Sequence, residues 1–153
     1  MKEKKMKRIR QTIYEVMLNN QLDAYIVNNN NNTTGNLKES EKLFIYVEII
    51  NTSPKISYVF NAGGNIAVGR AVDSTICIQE AAVSRKHCEI FEYSGFVYVR
   101  NVSTSSRLAV KHGMKKEWLD CGESVPVYKK DRIYVGTNIL QVILLQGQDY
   151  ILN

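Results

Sequence analysis

Three short segments of the chain hold residues whose types suit the binding of an anion. The first contains Gly69 and Arg70, the second reads Ser-Arg-Lys-His at 84–87, and the third reads Asn-Val-Ser-Thr-Ser-Ser-Arg at 101–107. A guanidinium can make two parallel hydrogen bonds to a phosphate, hydroxyls add donors without adding charge, and turn amides add more. If the fold brings these segments together, they can bind a phosphate group with about −1.5 to −2 charges.

The segments lie between short runs of β-forming residues. Turn residues separate these runs, and no helical pattern intervenes after residue 40, which predicts an all-β sandwich of about eleven strands. Such a fold collects its connecting loops at the ends of a rigid scaffold. The predicted strands are 43–50, 56–60, 66–68, 75–78, 87–92, 96–101, 108–110, 117–119, 125–128, 132–135 and 139–145.

The N-terminal part of the chain has a different composition. Apolar residues within 6–19 recur at helical spacing, which predicts a short amphipathic helix. A short strand is possible at 23–27, and the Asn-rich run at 28–36 is typical of a linker. We therefore expect a basic helix plus linker over 1–37 and a sandwich domain over 38–153.

The net charge of the 153-residue chain is +5. Six basic residues and one acidic residue lie in the first ten positions, so residues 11–153 are neutral overall. The sandwich is therefore not expected to attract nucleic acid through a global field. The chain has no apolar run that would insert stably into a membrane or act as a secretory signal, and a cytoplasmic location is expected.

The order and spacing of the three segments resemble those of the forkhead-associated (FHA) domain family. Gly69-Arg70 followed by the 84–87 segment is similar to the family pattern G-R…S-R-x-H. Residues 128–136 are similar to the family segment L-x-x-G-D-x-I-x-x-G, with Lys130 where glycine is usual. The resemblance covers about residues 43–147 and implies an FHA/SMAD-like antiparallel β-sandwich.

The family resemblance implies a module that recognises phosphothreonine peptides and acts as a signalling adaptor in Ser/Thr kinase pathways. Its partner would be a phosphothreonine-containing substrate of a Ser/Thr kinase. Arg70 would hold the phosphate, Ser84 would donate its hydroxyl, and Arg85 or Lys86 would flank it. Gly69 and His87 would support the loops, with the imidazole bracing them from beneath. The phosphopeptide-binding residues implied are Arg70, Ser84, Arg85, Lys86, Thr104, Ser105 and Ser106.

The third segment departs from the family pattern D-L-x-S-x-N-G-T. One register places Ser106 at the asparagine that holds the bound peptide's backbone, and a shorter register places Ser105 there. In either register Thr104, or Ser103, can offer a hydroxyl to the phosphate. Serine lacks the paired donor and acceptor of an amide. The alternative function is therefore an FHA-like scaffold that binds its partner without phosphate.

The inventory of reactive residues does not favour an enzyme. There are two histidines, and no zinc motif, nucleophile elbow or phosphate-binding P-loop is present. Cys77, Cys88 and Cys121 have no metal-ligand spacing and are expected to be reduced packing residues. His112 is expected to be exposed. We expect no catalytic residue, no metal and no cofactor.

Overall fold

The structure is a computed structural model that describes residues 42–146. Its strands are β1 (Leu43–Ile49), β2 (Ile56–Asn61), β3 (Ile66–Gly69), β4 (Ile76–Cys77), β5 (Cys88–Tyr93), β6 (Phe96–Asn101), β7 (Leu108–His112), β8 (Lys115–Leu119), β9 (Ser124–Val127), β10 (Arg132–Val135) and β11 (Asn138–Gln146). Each of the eleven predicted strands is confirmed, with ends that shift by two residues at most. Within this part of the chain no helix is long and apolar enough to cross a membrane. The helix predicted at 6–19, the strand at 23–27, the linker and the boundary after residue 37 lie outside the described residues.

The strands form two sheets. One has the order β2-β1-β11-β10-β7-β8, and the other has the order β4-β3-β5-β6-β9. Neighbouring strands are antiparallel, as expected, except that β3 and β4 pair in parallel with Val68 opposite Ile76. This pair departs from the antiparallel prediction because residues 70–75 return the chain to the starting end of β3 before β4 begins.

The core between the sheets follows from alternation along the strands. In β6, Val97 and Val99 are buried, whereas Tyr98 and Arg100 are partly exposed on the outer side. A strand with this period of two places its apolar set on one face. The β5–β6 connection at Ser94 and Gly95 has positive φ at both residues (51° and 84°), which fits a tight hairpin turn.

The turn before β10 contains Lys130, which stands where the family pattern usually has glycine. Lys130 has φ 77°, the left-handed region that favours the glycine usual there.

The next residue, Asp131, accepts a hydrogen bond from the Tyr128 amide at 2.8 Å, and its Oδ2 lies 2.7 Å from Nδ1 of His112. Nε2 of His112 lies 3.3 Å from Glu117. The expectation that His112 is simply exposed was wrong, because two carboxylates hold it partly buried.

The three cysteines occupy different environments. Cys88 is buried in the core, and burial raises the pKa of its thiol to about 12, so it stays protonated. Cys77 and Cys121 are exposed free thiols. The expectation of packing residues is therefore correct for Cys88 and wrong for the other two.

Candidate functional site

The end of β3 and the β4–β5 loop (78–87) are joined through their backbones. The Arg70 amide donates to the Ser84 carbonyl at 3.0 Å, and the Ala71 amide donates to the Arg85 carbonyl at 3.2 Å. A Cβ atom on Gly69 would lie 2.0 Å from the Arg85 carbonyl oxygen, far inside van der Waals contact. Glycine is therefore required here by the close approach of two chain segments.

The Arg70 side chain is fixed at one nitrogen. Its Nε donates to the Val83 carbonyl at 3.0 Å, and the side chain is partly exposed. No ion pair or further hydrogen bond within residues 42–146 engages its Nη1 or Nη2. The guanidinium is thus oriented by a neutral backbone acceptor and keeps its positive charge unneutralised by a carboxylate.

His87 lies beneath this loop and is buried. The Ser84 amide donates to its Nδ1 at 3.0 Å, while the His87 amide donates to the Val68 carbonyl at 3.0 Å. Burial lowers the pKa of His87, because the charged imidazolium is disfavoured away from water. A neutral ring with an unprotonated Nδ1 is the form that can accept the Ser84 amide.

The β6–β7 loop (102–107) is shaped by Asn101. Its side chain is fully buried and donates to the Ser106 and Leu119 carbonyls at 2.9 and 2.8 Å. Its Oδ1 accepts the Ser103 amide at 2.9 Å. One buried amide therefore satisfies three backbone groups and fixes the path of the loop.

Ser103 joins the second and third loops. Its hydroxyl lies 2.8 Å from the Ser84 hydroxyl, 3.2 Å from that of Ser105 and 3.1 Å from that of Ser106. It also accepts the Ser105 and Ser106 amides, both at 3.2 Å. Ser103 is 2% exposed, so its hydroxyl is internal. The Ser84 and Ser105 hydroxyls, 3.2 Å apart, lie at the more exposed side of this cluster.

A second contact ties the β4–β5 loop to the scaffold. Glu80 accepts hydrogen bonds from the Thr137 amide at 2.8 Å, the Thr137 hydroxyl at 2.9 Å and the Asn138 side chain at 2.8 Å. The bonds from Thr137 are the main cause that lowers the pKa of Glu80. These bonds hold the start of the loop whose later residues include Val83, the acceptor of the Arg70 Nε hydrogen bond, and Ser84.

Comparison with known proteins agrees with this arrangement. Residues 66–136 match the family model of the FHA domain. The resemblance to the FHA family is confirmed over residues 66–136. No curated protein matches the sequence.

Solved structures share the fold of the FHA domain. Mycobacterium tuberculosis EmbR in complex with a low-affinity phosphopeptide matches with a TM-score of 0.51 and 19% identity, over 67% of this chain and 24% of that one. This chain thus spans about a quarter of the solved EmbR chain. An FHA structure described for phosphothreonine-dependent interactions matches with a TM-score of 0.52 and 17% identity, over 65% and 94% of the two chains. The FHA domain of a Chlamydia trachomatis protein matches with a TM-score of 0.54 and 14% identity, over 66% and 96%.

The fold brings together some of the predicted site residues and leaves others exposed at its edge. Arg70 and Ser84 lie on adjoining segments, and Ser105 meets Ser84. Thr104, Arg85 and Lys86 are exposed around them. Within residues 42–146, no hydrogen bond is made by the Thr104 hydroxyl.

Three residues organise the site in ways that the sequence did not predict. Asn101 was not singled out, although an asparagine at the end of a strand is a common turn signal. Ser103 was considered only as a phosphate donor, and the structure places it inside as the link between loops. The Val83 carbonyl accepts the hydrogen bond from Arg70 Nε, and no side-chain pattern in the sequence could have indicated that contact.

A cavity of about 350 Å³ lies beside the Arg70 loop. All three loops contribute to its wall, through Ala71 and Asp73, Lys86, and Val102. It is large enough for one amino-acid side chain.

Proposed function

We propose that this protein is a phosphothreonine-peptide recognition module that acts as an adaptor in a Ser/Thr kinase pathway. One observation carries the proposal. The Arg70 guanidinium is fixed through Nε and unpaired with any carboxylate of residues 42–146, and its backbone is bonded to that of Ser84. A cation oriented in advance, with two nitrogens facing no internal partner, suits an incoming dianion.

The hydroxyls supply the rest of the phosphate site. Ser84 and Ser105 belong to different loops, yet their Oγ atoms are 3.2 Å apart. Two hydroxyls this close together can each donate a hydrogen bond to one phosphate group. Arg85 and Lys86 are exposed at the same loop and add positive charge at the rim. Gly69 and His87 act indirectly, by holding the loops in place.

The relatives support this choice of ligand. EmbR was solved with a phosphopeptide, and a further FHA structure is described for phosphothreonine-dependent interactions. Each charge-assisted hydrogen bond contributes roughly 1.5–3 kcal/mol. Three or four such bonds, reduced by the cost of ordering the peptide, correspond to micromolar affinity, about −8 kcal/mol.

The test uses a degenerate phosphothreonine peptide library and the same library without phosphate. The full chain should prefer the phosphorylated library, and Arg70→Ala should lower that affinity at least tenfold, since one charge-assisted bond corresponds to more than about 1.4 kcal/mol. Lys129→Ala is the control for loss of a positive charge, because Lys129 lies beside Gly95 and Phe96, at the end of β6 opposite the three loops. Equal loss in both variants would contradict the proposal.

The alternative is an FHA scaffold that binds its partner without phosphate. The observation in its favour is the β6–β7 loop, where Ser106, or Ser105 in the shorter register, stands at the usual asparagine position and the Ser106 hydroxyl bonds inward to Ser103 at 3.1 Å. A peptide's backbone is therefore held less firmly here than by an amide side chain. Equal binding of phosphorylated and plain libraries by the wild-type chain would favour this alternative.

A hydrolytic role for Ser84 and His87 is not supported. His87 Nδ1 takes the backbone amide of Ser84, whereas a general base must reach the hydroxyl. The Ser84 hydroxyl instead lies 2.8 Å from that of Ser103. Within residues 42–146, no cluster of three or more His, Cys, Asp or Glu side chains could hold a metal ion.

A further inference from the structure

The outer face of β7, β8 and β10 carries a row of like charges. The register places Lys111 opposite Lys116 on one side and opposite Arg132 on the other. These side chains point away from the core, because the alternate residues Val110 and Ile133 are buried. We call Lys111, Lys116 and Arg132, with the rings of Trp118 and Tyr134, the basic face.

The basic face has no carboxylate of residues 42–146 at ion-pair distance. No ion pair within residues 42–146 involves Lys111, Lys116 or Arg132. The nearby carboxylate of Glu117 lies on the other face of β8 and is 3.3 Å from His112. Like charges directly opposite each other across strands destabilise a sheet. A row of three therefore indicates a role outside the folding of the domain.

Aromatic rings connect the basic face to the phosphate site. Lys116 Nζ lies 4.7 Å from the centroid of Trp118 and 5.3 Å from that of Tyr134. Arg107 approaches Trp118 at 5.0 Å. Trp118 is 48% exposed, so its ring forms part of the surface. Because Arg107 directly follows Ser106 in the third loop, the positively charged surface continues from the candidate phosphate site onto the sheet.

We propose that the basic face binds an acidic segment of the same polypeptide that carries the phosphothreonine. This inference rests on the proposed function and specifies the partner. Lys116 is two residues from Trp118, about 7 Å along β8. The distance from Ser106 to Trp118 adds to this length, so the basic face lies on the order of 10–15 Å from the phosphate site. An extended chain spans that distance in roughly three to five residues.

A polypeptide fits the basic face better than a nucleic acid does. Three cations lie on three neighbouring strands at about 4.8 Å spacing, so they cover only roughly 10 Å. Non-specific binding of nucleic acid depends on many phosphate contacts along a longer track. Two or three Asp or Glu residues of a peptide match this extent. Because the basic face is continuous with the phosphate site, one peptide can contact both surfaces. The second contact then raises the affinity of that peptide without a second partner.

The test compares two pairs of synthetic phosphothreonine peptides on the full chain. The two peptides of a pair share the sequence around the phosphothreonine that was selected from the library. They differ in three residues, which are Glu in one peptide and Gln in the other. These residues lie three to five positions before the phosphothreonine in one pair and three to five positions after it in the other pair. The wild-type chain should bind the Glu peptide of one pair about tenfold more tightly, as expected for three partly exposed charge contacts. The preference should weaken as salt is raised.

The decisive variant is Lys111→Gln/Lys116→Gln/Arg132→Gln. It should bind the Gln peptide as the wild type does and lose the preference for the Glu peptide. The control Lys55→Gln/Lys129→Gln/Lys130→Gln removes the same charge elsewhere and should retain the preference. The melting temperature of the decisive variant should equal or exceed that of the wild type, because like charges are removed.

The outcomes separate the two proposals. If both peptides bind in a phosphate-dependent way and with equal affinity, the role of the basic face is refuted while the proposed function stands. If neither binds in a phosphate-dependent way, the proposed function fails and the inference with it. If a 12-nucleotide single-stranded DNA binds the wild type and not the decisive variant, while the two peptides bind equally, the face is a nucleic-acid site and the inference is refuted.

Discussion

Gly69→Ala tests whether the close approach of β3 and the β4–β5 loop builds the site. The new Cβ would lie 2.0 Å from the Arg85 carbonyl oxygen, and contacts below 3.0 Å are essentially never seen. The atom it meets belongs to the backbone, so no side chain can rotate away. The two segments must separate by at least about 1 Å, the difference between those two distances.

That separation would lengthen the hydrogen bonds that join the two segments. The Arg70 and Ala71 amides donate to the carbonyls of Ser84 and Arg85 at 3.0 and 3.2 Å, and both bonds weaken when the strands part. Each such bond contributes about 0.5–1.5 kcal/mol. With the nearby bond from His87 to Val68, we expect a loss of about 2–4 kcal/mol in the free energy of unfolding.

The assay is urea unfolding followed by titration with the phosphothreonine library. Gly64→Ala is the matched control, because the nearest atom to its added Cβ is the Asn61 carbonyl at 3.8 Å, an ordinary contact. The control should stay within about 0.5 kcal/mol of the wild type. If Gly69→Ala folds with wild-type stability and binds phosphopeptide as before, the geometric reasoning for the site is wrong.

Four further changes give separate tests. Ser103→Ala removes the acceptor of two loop amides and should cost about 1–3 kcal/mol in urea unfolding, with phosphopeptide affinity falling as well; unchanged values would refute its role. Because burial lowers the pKa of His87, the unfolded chain binds more protons below its ordinary pKa of 6.5, so the urea midpoint should fall as pH drops through 6.5. Glu80→Gln should be less stable than wild type at neutral pH, with the gap narrowing below pH 4.5, since the carboxylate with a lowered pKa is stabilising only while ionised; a constant gap would contradict this. Lys130→Gly should raise the free energy of unfolding by about 1 kcal/mol, because Lys130 has a left-handed φ, whereas Lys129→Gly should lower it.

The sequence was sufficient to predict the strands because their signals are local. Period-two runs such as β6, bounded by turns such as Ser94-Gly95, do not depend on distant contacts. The parallel pairing of β3 with β4 was not predicted, because it depends on the path of the intervening loop. The site residues Arg70 and Ser84 were predicted through their order and spacing in the chain.

The internal framework of the site could not be predicted in the same way. Ser103 and Asn101 act through hydrogen bonds to residues on other loops, and a serine-rich run does not show which hydroxyl is buried. The basic face likewise depends on register. Lys111, Lys116 and Arg132 are dispersed in a chain whose residues 11–153 are neutral, and only the pairing of three strands places them side by side.

The most direct measurement of the central claim is a map of amide chemical-shift changes in the full ¹⁵N-labelled chain on addition of a phosphothreonine peptide. The account predicts changes concentrated at the amides of Arg70, Ser84 and Ser105, and none of similar size with the unphosphorylated peptide. Changes centred instead on the apolar groove lined by Phe96 and Tyr128, at the opposite end of β6, would contradict it, as would identical maps for the two peptides.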